Sequence, residues 1–500
     1  MEREYIVTLK AGVDFNQFDA EMTASTGAGA IPNRTVDIAD PRTGNTRNTH
    51  YALTADEVET LRSDTRVEAV ELPPEQRDDV EIGLLGRQSG TFTKTSADTG
   101  NHLNWGMRRC IDTTNPYSGT NVSGDYTYNL DGEGVDVVIQ DSGIEPNHPE
   151  WQDESGVSRL KQIDWFATYS GSGSQSSTHY RDFHGHGTHV AGTAAGLTYG
   201  WAKKAHIYSV KVNGLEGSGD SGGISTSRCF DVIKDWHNSK TNGRPTVVNM
   251  SWGYGSTFSN ITGGNYRGTS WSGSSRDTSK GMVGSLTFSG YRYTTRVASV
   301  DADLEELIAA GVHVCVAAGN SRQKIDIPGG LDYDNYFTSS SVSSNRYYNR
   351  GGSPFSTNAF VVGNIDYVDH SGGLEQKNSS SETGPGVDIY APGTHIRSAS
   401  SQTNAIGGVS YYRDSNYKQT SITGTSMASP QVCGAIACIL QAYPNLTPAE
   451  MKSMVHNLCA ENQIFQTGLD NDYAQSRSLI GGPNRYLFFP YSREFALSIT

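Results

Sequence analysis

The chain has 500 residues, 35% of them hydrophobic and 18% charged, and a formal net charge of −14. Such a composition carries enough apolar material for a sizeable core and excludes a disordered chain. The acidic balance without a Lys/Arg stripe excludes a nucleic-acid partner, and the longest near-continuous apolar stretch, Val432 to Leu440, is less than half of what a bilayer-spanning helix needs, so no membrane partner is expected.

Residues 1–72 read as a self-contained α+β domain. EYIVTLK is strand-like, FNQFDAEMTAS helical, HYALT strand-like, ADEVETLRSD helical with Thr54 as its N-cap, and VEAVEL strand-like. The opening MEREYIVTLKAG has no apolar segment or small-residue cleavage site of a secretory signal. Residues 73–103 turn polar and rich in Gly, Ser and Thr, the composition of an exposed connector.

From 104 to 500 the pattern changes. Strand-like runs (VDVVIQ, HIYSVKV, TVVNMSW, VHVCVAAGN, AFVVGNID) alternate with helix-like ones (HGTHVAGTAAG, STSRCFDVIKDWHN, VDADLEELIAAG, SMASPQVCGAIACILQAY, TPAEMKSMVHNL). This alternation predicts an α/β domain with a mostly parallel sheet covered on both faces, whose ligands bind beyond the carboxyl ends of the strands. Two stretches rich in Gly, Ser, Tyr and Asn interrupt it, at about 253–296 and 321–357. Structureless loops of that length are uncommon unless they are functional or partly folded, and both begin where a cleft wall is expected. The six cysteines form no CxxC, and their apolar neighbours favour buried free thiols over a disulfide framework.

Three short segments carry chemistry: QDSGIEPNHPEW at Asp141, HGHGTHVAGT at His186 and GTSMASP at Ser426. A serine nucleophile needs a base to take its proton and a carboxylate to hold that base, and these segments supply one of each. Asp141 ends a strand, His186 opens a helix, and Ser426 follows a glycine-led turn into an apolar helix, near free backbone N–H groups. Two decoys are set aside. Gly219-Asp220-Ser221-Gly222-Gly223 spells a nucleophile motif of an all-β protease fold, but the β rhythm and the histidine segment of that fold are missing. His184, His186 and His189 suggest zinc, yet no HExxH is present, and His189 reads as a packed helix residue.

The order Asp141, His186, Ser426 is that of subtilisin, and together with Val316-Ala317-Ala318-Gly319-Asn320 and Asn249-Met250-Ser251-Trp252-Gly253 the chain from about Trp105 onward resembles the subtilisin-like serine proteases (peptidase S8) of proteinase K type. The resemblance implies a serine endopeptidase acting on proteins or peptides, with Asn320 as oxyanion donor and Ser251, Trp252, Gly253, Ala317 and Gly319 binding substrate. Residues 4 to 72 resemble the family's I9-type inhibitory propeptide, so the implied architecture is a subtilisin-like α/β domain preceded by a small ferredoxin-like α+β domain. Such a chain is a zymogen that cuts itself in the connector and whose propeptide occupies the cleft; a secreted, extracellular or virion-associated location is then expected rather than a cytoplasmic one. The chemistry requires no cofactor. Asp388, in Gly386-Val387-Asp388-Ile389, matches a position that binds structural calcium in proteinase K, whereas Glu150 matches an acidic calcium ligand whose accompanying loop is short here. The alternative is a propeptide-silenced structural or binding component of a larger assembly.

Overall fold

In a computed structural model, the structure describes residues 2–10, 12–25, 31, 34–40, 48–72, 90–92, 105–111, 115, 117, 126–163, 180–219, 222–283, 285–287, 290–340, 342–370 and 372–489. The chain divides into two compact units, Met1–Leu85 and Gly86–Thr500. Apart from Gly90–Phe92, the expected connector 73–103, in which the chain is expected to cut itself, lies outside the described residues, as do Asp220 and Ser221 of the decoy motif.

In the first unit the strands Arg3–Leu9 (β1), Ile38–Asp40 (β2), Asn48–Leu53 (β3) and Val67–Glu71 (β4) form an antiparallel sheet in the order β2-β3-β1-β4. The helices Phe15–Thr23 and Ala55–Arg62 fall after β1 and after β3. This is the split βαβ arrangement of ferredoxin-like domains. Alternation puts Val7, Leu9, Tyr51 and Leu53 on one sheet face, where Phe18, Met22, Val58 and Leu61 from the helices complete the core. Thr54 caps the second helix as expected: its hydroxyl accepts from Glu57 N, and the Glu57 carboxylate accepts from Thr54 N at 2.7 Å.

The second unit is built on a nine-stranded sheet. Six neighbouring strands run Ile389–Pro392, Phe360–Ile365, His313–Ala317, Thr246–Met250, Asp136–Asp141 and His206–Lys211, every pair parallel. Successive residues feed opposite faces: Val137 and Ile139 join one core with the helices His186–Ala195 and Thr425–Ala442, while Val138, Val248 and Met250 join another with Thr226–Ser239 and Ala298–Ala309. Parallel neighbours end on the same edge, so Asp141, Met250 and Ala317 bring the segments that follow them to one rim. The first of these strands in the chain lies inside the sheet, with later strands on both sides, which makes that rim a topological switch point.

The stretches expected as long interruptions are folded together. Ile261–Tyr266 from the first pairs antiparallel with Tyr336–Ser339 from the second, inside a four-stranded sheet completed by Thr269–Ser272 and Val342–Tyr347. A three-stranded sheet, Gly255–Phe258, Gly290–Thr294 and Ser285–Thr287, adjoins them. Phe258, Ile261, Met282, Tyr293, Phe337 and Tyr348 give the pair a core of its own. Buried Asp332 ties the two stretches by accepting from Arg267 Nε at 2.7 Å and Lys324 Nζ at 2.6 Å. The six cysteines are free thiols, five of them buried. Among the described residues no helix is long and apolar enough to cross a membrane.

Candidate active site

Asp141 closes its strand at the rim and is 1% exposed. Its Oδ1 accepts from Ser142 N at 2.7 Å and from His186 Nδ1 at 2.8 Å. Since a carboxylate only accepts, this bond places the ring proton on Nδ1 and leaves Nε2 as the acceptor of a neutral imidazole. Burial by itself would lower the His186 pKa, but the charge of Asp141 and its hydrogen bond together outweigh that and hold it above the ordinary value.

His186 opens a helix whose N-cap, Gly185, has no side chain to satisfy the free N–H groups. Asp182 does so instead. Fully buried, it accepts from His184 N and Gly185 N through Oδ1, and from Thr188 N and the Thr188 hydroxyl through Oδ2, at 2.6 to 2.9 Å. It also takes the Ser142 hydroxyl at 2.9 Å, while Ser142 Oγ accepts from Gly187 N, so one carboxylate locks the aspartate turn to the histidine helix. The sequence reading missed Asp182; its signal was an acidic residue just ahead of a helix start without a cap.

Ser426 is the second residue of the helix Thr425–Ala442, again with a glycine, Gly424, at the uncapped N-terminus. Its Oγ donates to the Ser251 carbonyl at 3.1 Å, and Ser251 Oγ donates to the Ser426 carbonyl at 3.0 Å. Asn249 continues the link, donating to Ser251 Oγ and accepting from Ser429 Oγ, both at 2.8 Å, so the helix start is pinned to the strand Thr246–Met250. On the other side Asn320 Oδ1 accepts from Thr425 N at 2.9 Å and from its hydroxyl at 3.2 Å. That leaves Nδ2 as the amide's donor, 3.3 Å from where a Cβ on Gly424 would stand. Gly319 precedes it at φ +122°, where a Cβ would stand 2.7 Å from Glu382 Cγ, so glycine is required both by conformation and by space.

Ser251, Trp252, Gly253, Ala317, Gly319, Asn320 and Ser426 therefore converge on one pocket of about 340 Å³. Tyr254, Arg292, Thr294, Gly352 and Ser353, from within or beside the two folded interruptions, complete its wall.

Asp388 has a different setting from the one the calcium resemblance implied. Lys452, on the helix Pro448–Leu458, donates its ammonium to Asp388 Oδ1 at 2.7 Å, Thr357 O at 2.6 Å and Ala359 O at 2.7 Å. Asp388 Oδ2 accepts from Val361 N at 2.9 Å. Three oxygens of the kind a hard cation takes are thus gathered on an internal cation, and a divalent ion there would face an ammonium, so the residues present do not fit calcium. Glu150, fully buried, is likewise spent on protein donors: Thr198 N at 2.8 Å and the Tyr411 hydroxyl at 2.5 Å. His189 is buried and bonds the Ile396 carbonyl at 3.0 Å, and burial pushes its pKa down to about 3. Among the described residues no three His, Cys, Asp or Glu side chains form a metal cluster.

Comparison with known proteins matches residues 132–475 to the Subtilase family, Peptidase_S8. Curated relatives include the alkaline serine exoprotease A of Vibrio alginolyticus, 26% identical over 83% of this chain and 55% of its own length. The extracellular serine proteinase of Thermus sp. (strain Rt41A) is 28% identical over 82% and 70%, and proteinase R of Parengyodontium album 29% over 87% and 79%. The chain thus spans little more than half the length of the first of these. Among solved structures, a cold-adapted subtilisin-like serine proteinase is 24% identical, with a TM-score of 0.47 over 77% of this chain and 98% of its own.

Proposed function

We propose that this chain, which belongs to the Subtilase family, is a serine endopeptidase in which Ser426, His186 and Asp141 act as one unit. The observation that carries the reading is the 2.8 Å bond from His186 Nδ1 to buried Asp141, which prepares Nε2 to accept a proton on the rim where Ser426 begins its helix. For reaction the Ser426 hydroxyl turns from the Ser251 carbonyl to Nε2, attacks the scissile carbonyl carbon and gives its proton to the imidazole. The imidazolium then protonates the leaving amine, which departs as the acyl-enzyme forms; water repeats the sequence to release the acid and restore Ser426. Asp141 stabilises the imidazolium. The tetrahedral oxyanion is received by Asn320 Nδ2 and the Ser426 N–H, held in place before the charge develops.

Substrate lies along Ser251–Gly253 and Ala317–Gly319 as an added strand, with the side chain before the cleaved bond in the pocket. The ferredoxin-like unit is read as the enzyme's own inhibitor, and the connector as the place where it cuts itself. A peptide-hydrolysis assay tests the reading: purified protein should cleave peptides, and Ser426→Ala should not. Equal hydrolysis by both would refute it.

A further inference from the structure

Among the described residues that line the pocket beside Ser426, Arg292 is the one that carries a charge. It comes from the folded interruption, on the strand Gly290–Thr294, opposite Thr257 of the strand Gly255–Phe258. Its guanidinium lies across Gly255: a Cβ there would stand 2.8 Å from Nε and 3.4 Å from Nη2, so the glycine leaves room for the arginine to reach the pocket. The side chain is exposed, and among the described residues no carboxylate pairs with it.

The other titratable groups nearby do not cancel this charge. Glu382 packs under Gly319, but it is fully buried, and burial raises its pKa to about 8, which keeps it largely neutral at pH 7. Lys377, which interacts with it, contributes no negative charge of its own. Thr294 also lines an adjoining cavity of about 310 Å³, where Arg296, Arg346 and Arg350 outnumber Asp301. Arg296 and Arg350 are paired, to Asp301 at 3.6 Å and Asp334 at 2.6 Å, and Arg346 lies over the Phe258 ring in that adjoining cavity, so Arg292 is the cation on the wall of the pocket beside Ser426. A guanidinium without an internal partner binds a carboxylate through two parallel N–H donors and repels a lysine or arginine.

We propose that Arg292 makes this pocket selective for an acidic side chain, aspartate or glutamate, at the residue just before the cleaved bond. The inference rests on the peptidase reading above and deepens it. A matched set of peptides with Glu, Gln, Phe or Lys at that residue tests it, with active sites counted by a fluorophosphonate mapped to Ser426. Wild type should prefer Glu to Gln by about tenfold in kcat/KM, the low end for a charge-assisted bond because the site is exposed. The preference should shrink with added salt. Arg292→Gln should abolish it, Arg292→Lys should keep part of it, and Arg292→Glu should turn it toward Lys. Labelling of Ser426 with no preference for Glu, or a preference that Arg292→Gln leaves intact, overturns the inference alone. Failure to label Ser426 overturns the peptidase reading and this inference with it.

Discussion

Replacing Lys452 by methionine should weaken the large unit and open a calcium site at Asp388 that the ammonium fills in the parent protein. The substitution keeps the apolar stem but removes the ammonium from Asp388, Thr357 O and Ala359 O. Stripping one partner from a buried ion pair costs about 3–5 kcal/mol; here Lys452 is 12% and Asp388 20% exposed, so water offsets part of that and about 2–3 kcal/mol is expected. At roughly 2.1 cal/mol/K of unfolding entropy per residue, a unit the size of Gly86–Thr500 should lose about 2–4 °C in Tm. Ten millimolar calcium, at a Kd of about 0.1 mM, would return about 2.7 kcal/mol by occupying the three freed oxygens. Calorimetry at one fixed scan rate, with Ser426→Ala to prevent self-digestion, compares the two proteins with calcium and with a chelator. A Lys452→Met variant that loses no stability, or one that calcium does not restore selectively over the parent, would refute the reasoning.

Four further outcomes are expected. Ser426→Ala and His186→Ala should each remove nearly all peptidase activity, with the double variant little worse than either; losses that multiply in steady-state kinetics would contradict a single unit. Asn320→Ala should lower kcat by about 10²–10³, the cost of one oxyanion donor in subtilisin, with a smaller change in KM. Because His186 must be neutral to act and its pKa is raised, activity should fall as pH drops through a midpoint above 6.5, and Asp141→Asn should move that midpoint down while cutting kcat about 10⁴-fold. The same raised pKa makes the histidine's contribution to folding full below the unfolded value and lost as pH rises through the folded one. Asp182→Ala should cost about 3 kcal/mol in denaturant unfolding and lower kcat more than it raises KM, because it frees the helix start that carries His186.

The alternating strands and helices were legible because each is a local pattern: VDVVIQ or TVVNMSW needs no distant partner to be read as a buried strand. The segments around Asp141, His186 and Ser426 were legible because their glycines and small residues mark sharp turns at element ends. What the sequence hid depends on contacts between distant residues. The interruptions read as loops because Gly, Ser and Asn dominate them, yet Ile261–Tyr266 finds its partner more than 60 residues away in Tyr336–Ser339. Lys452 lies on a helix far along the chain from Asp388, so nothing near either residue announces the pair. Arg292 is one arginine among many until a strand carries it across Gly255 to the pocket. Local patterns thus disclosed the frame and the segments around Asp141, His186 and Ser426, while the contacts that surround them were set by long-range packing.

The most direct test of the account is to treat the purified chain with a fluorophosphonate and map the adduct by mass spectrometry. The account predicts one modified residue, Ser426, with modification nearly lost in His186→Ala. Labelling that is absent, falls on another residue, or proceeds as fast without His186 would contradict it.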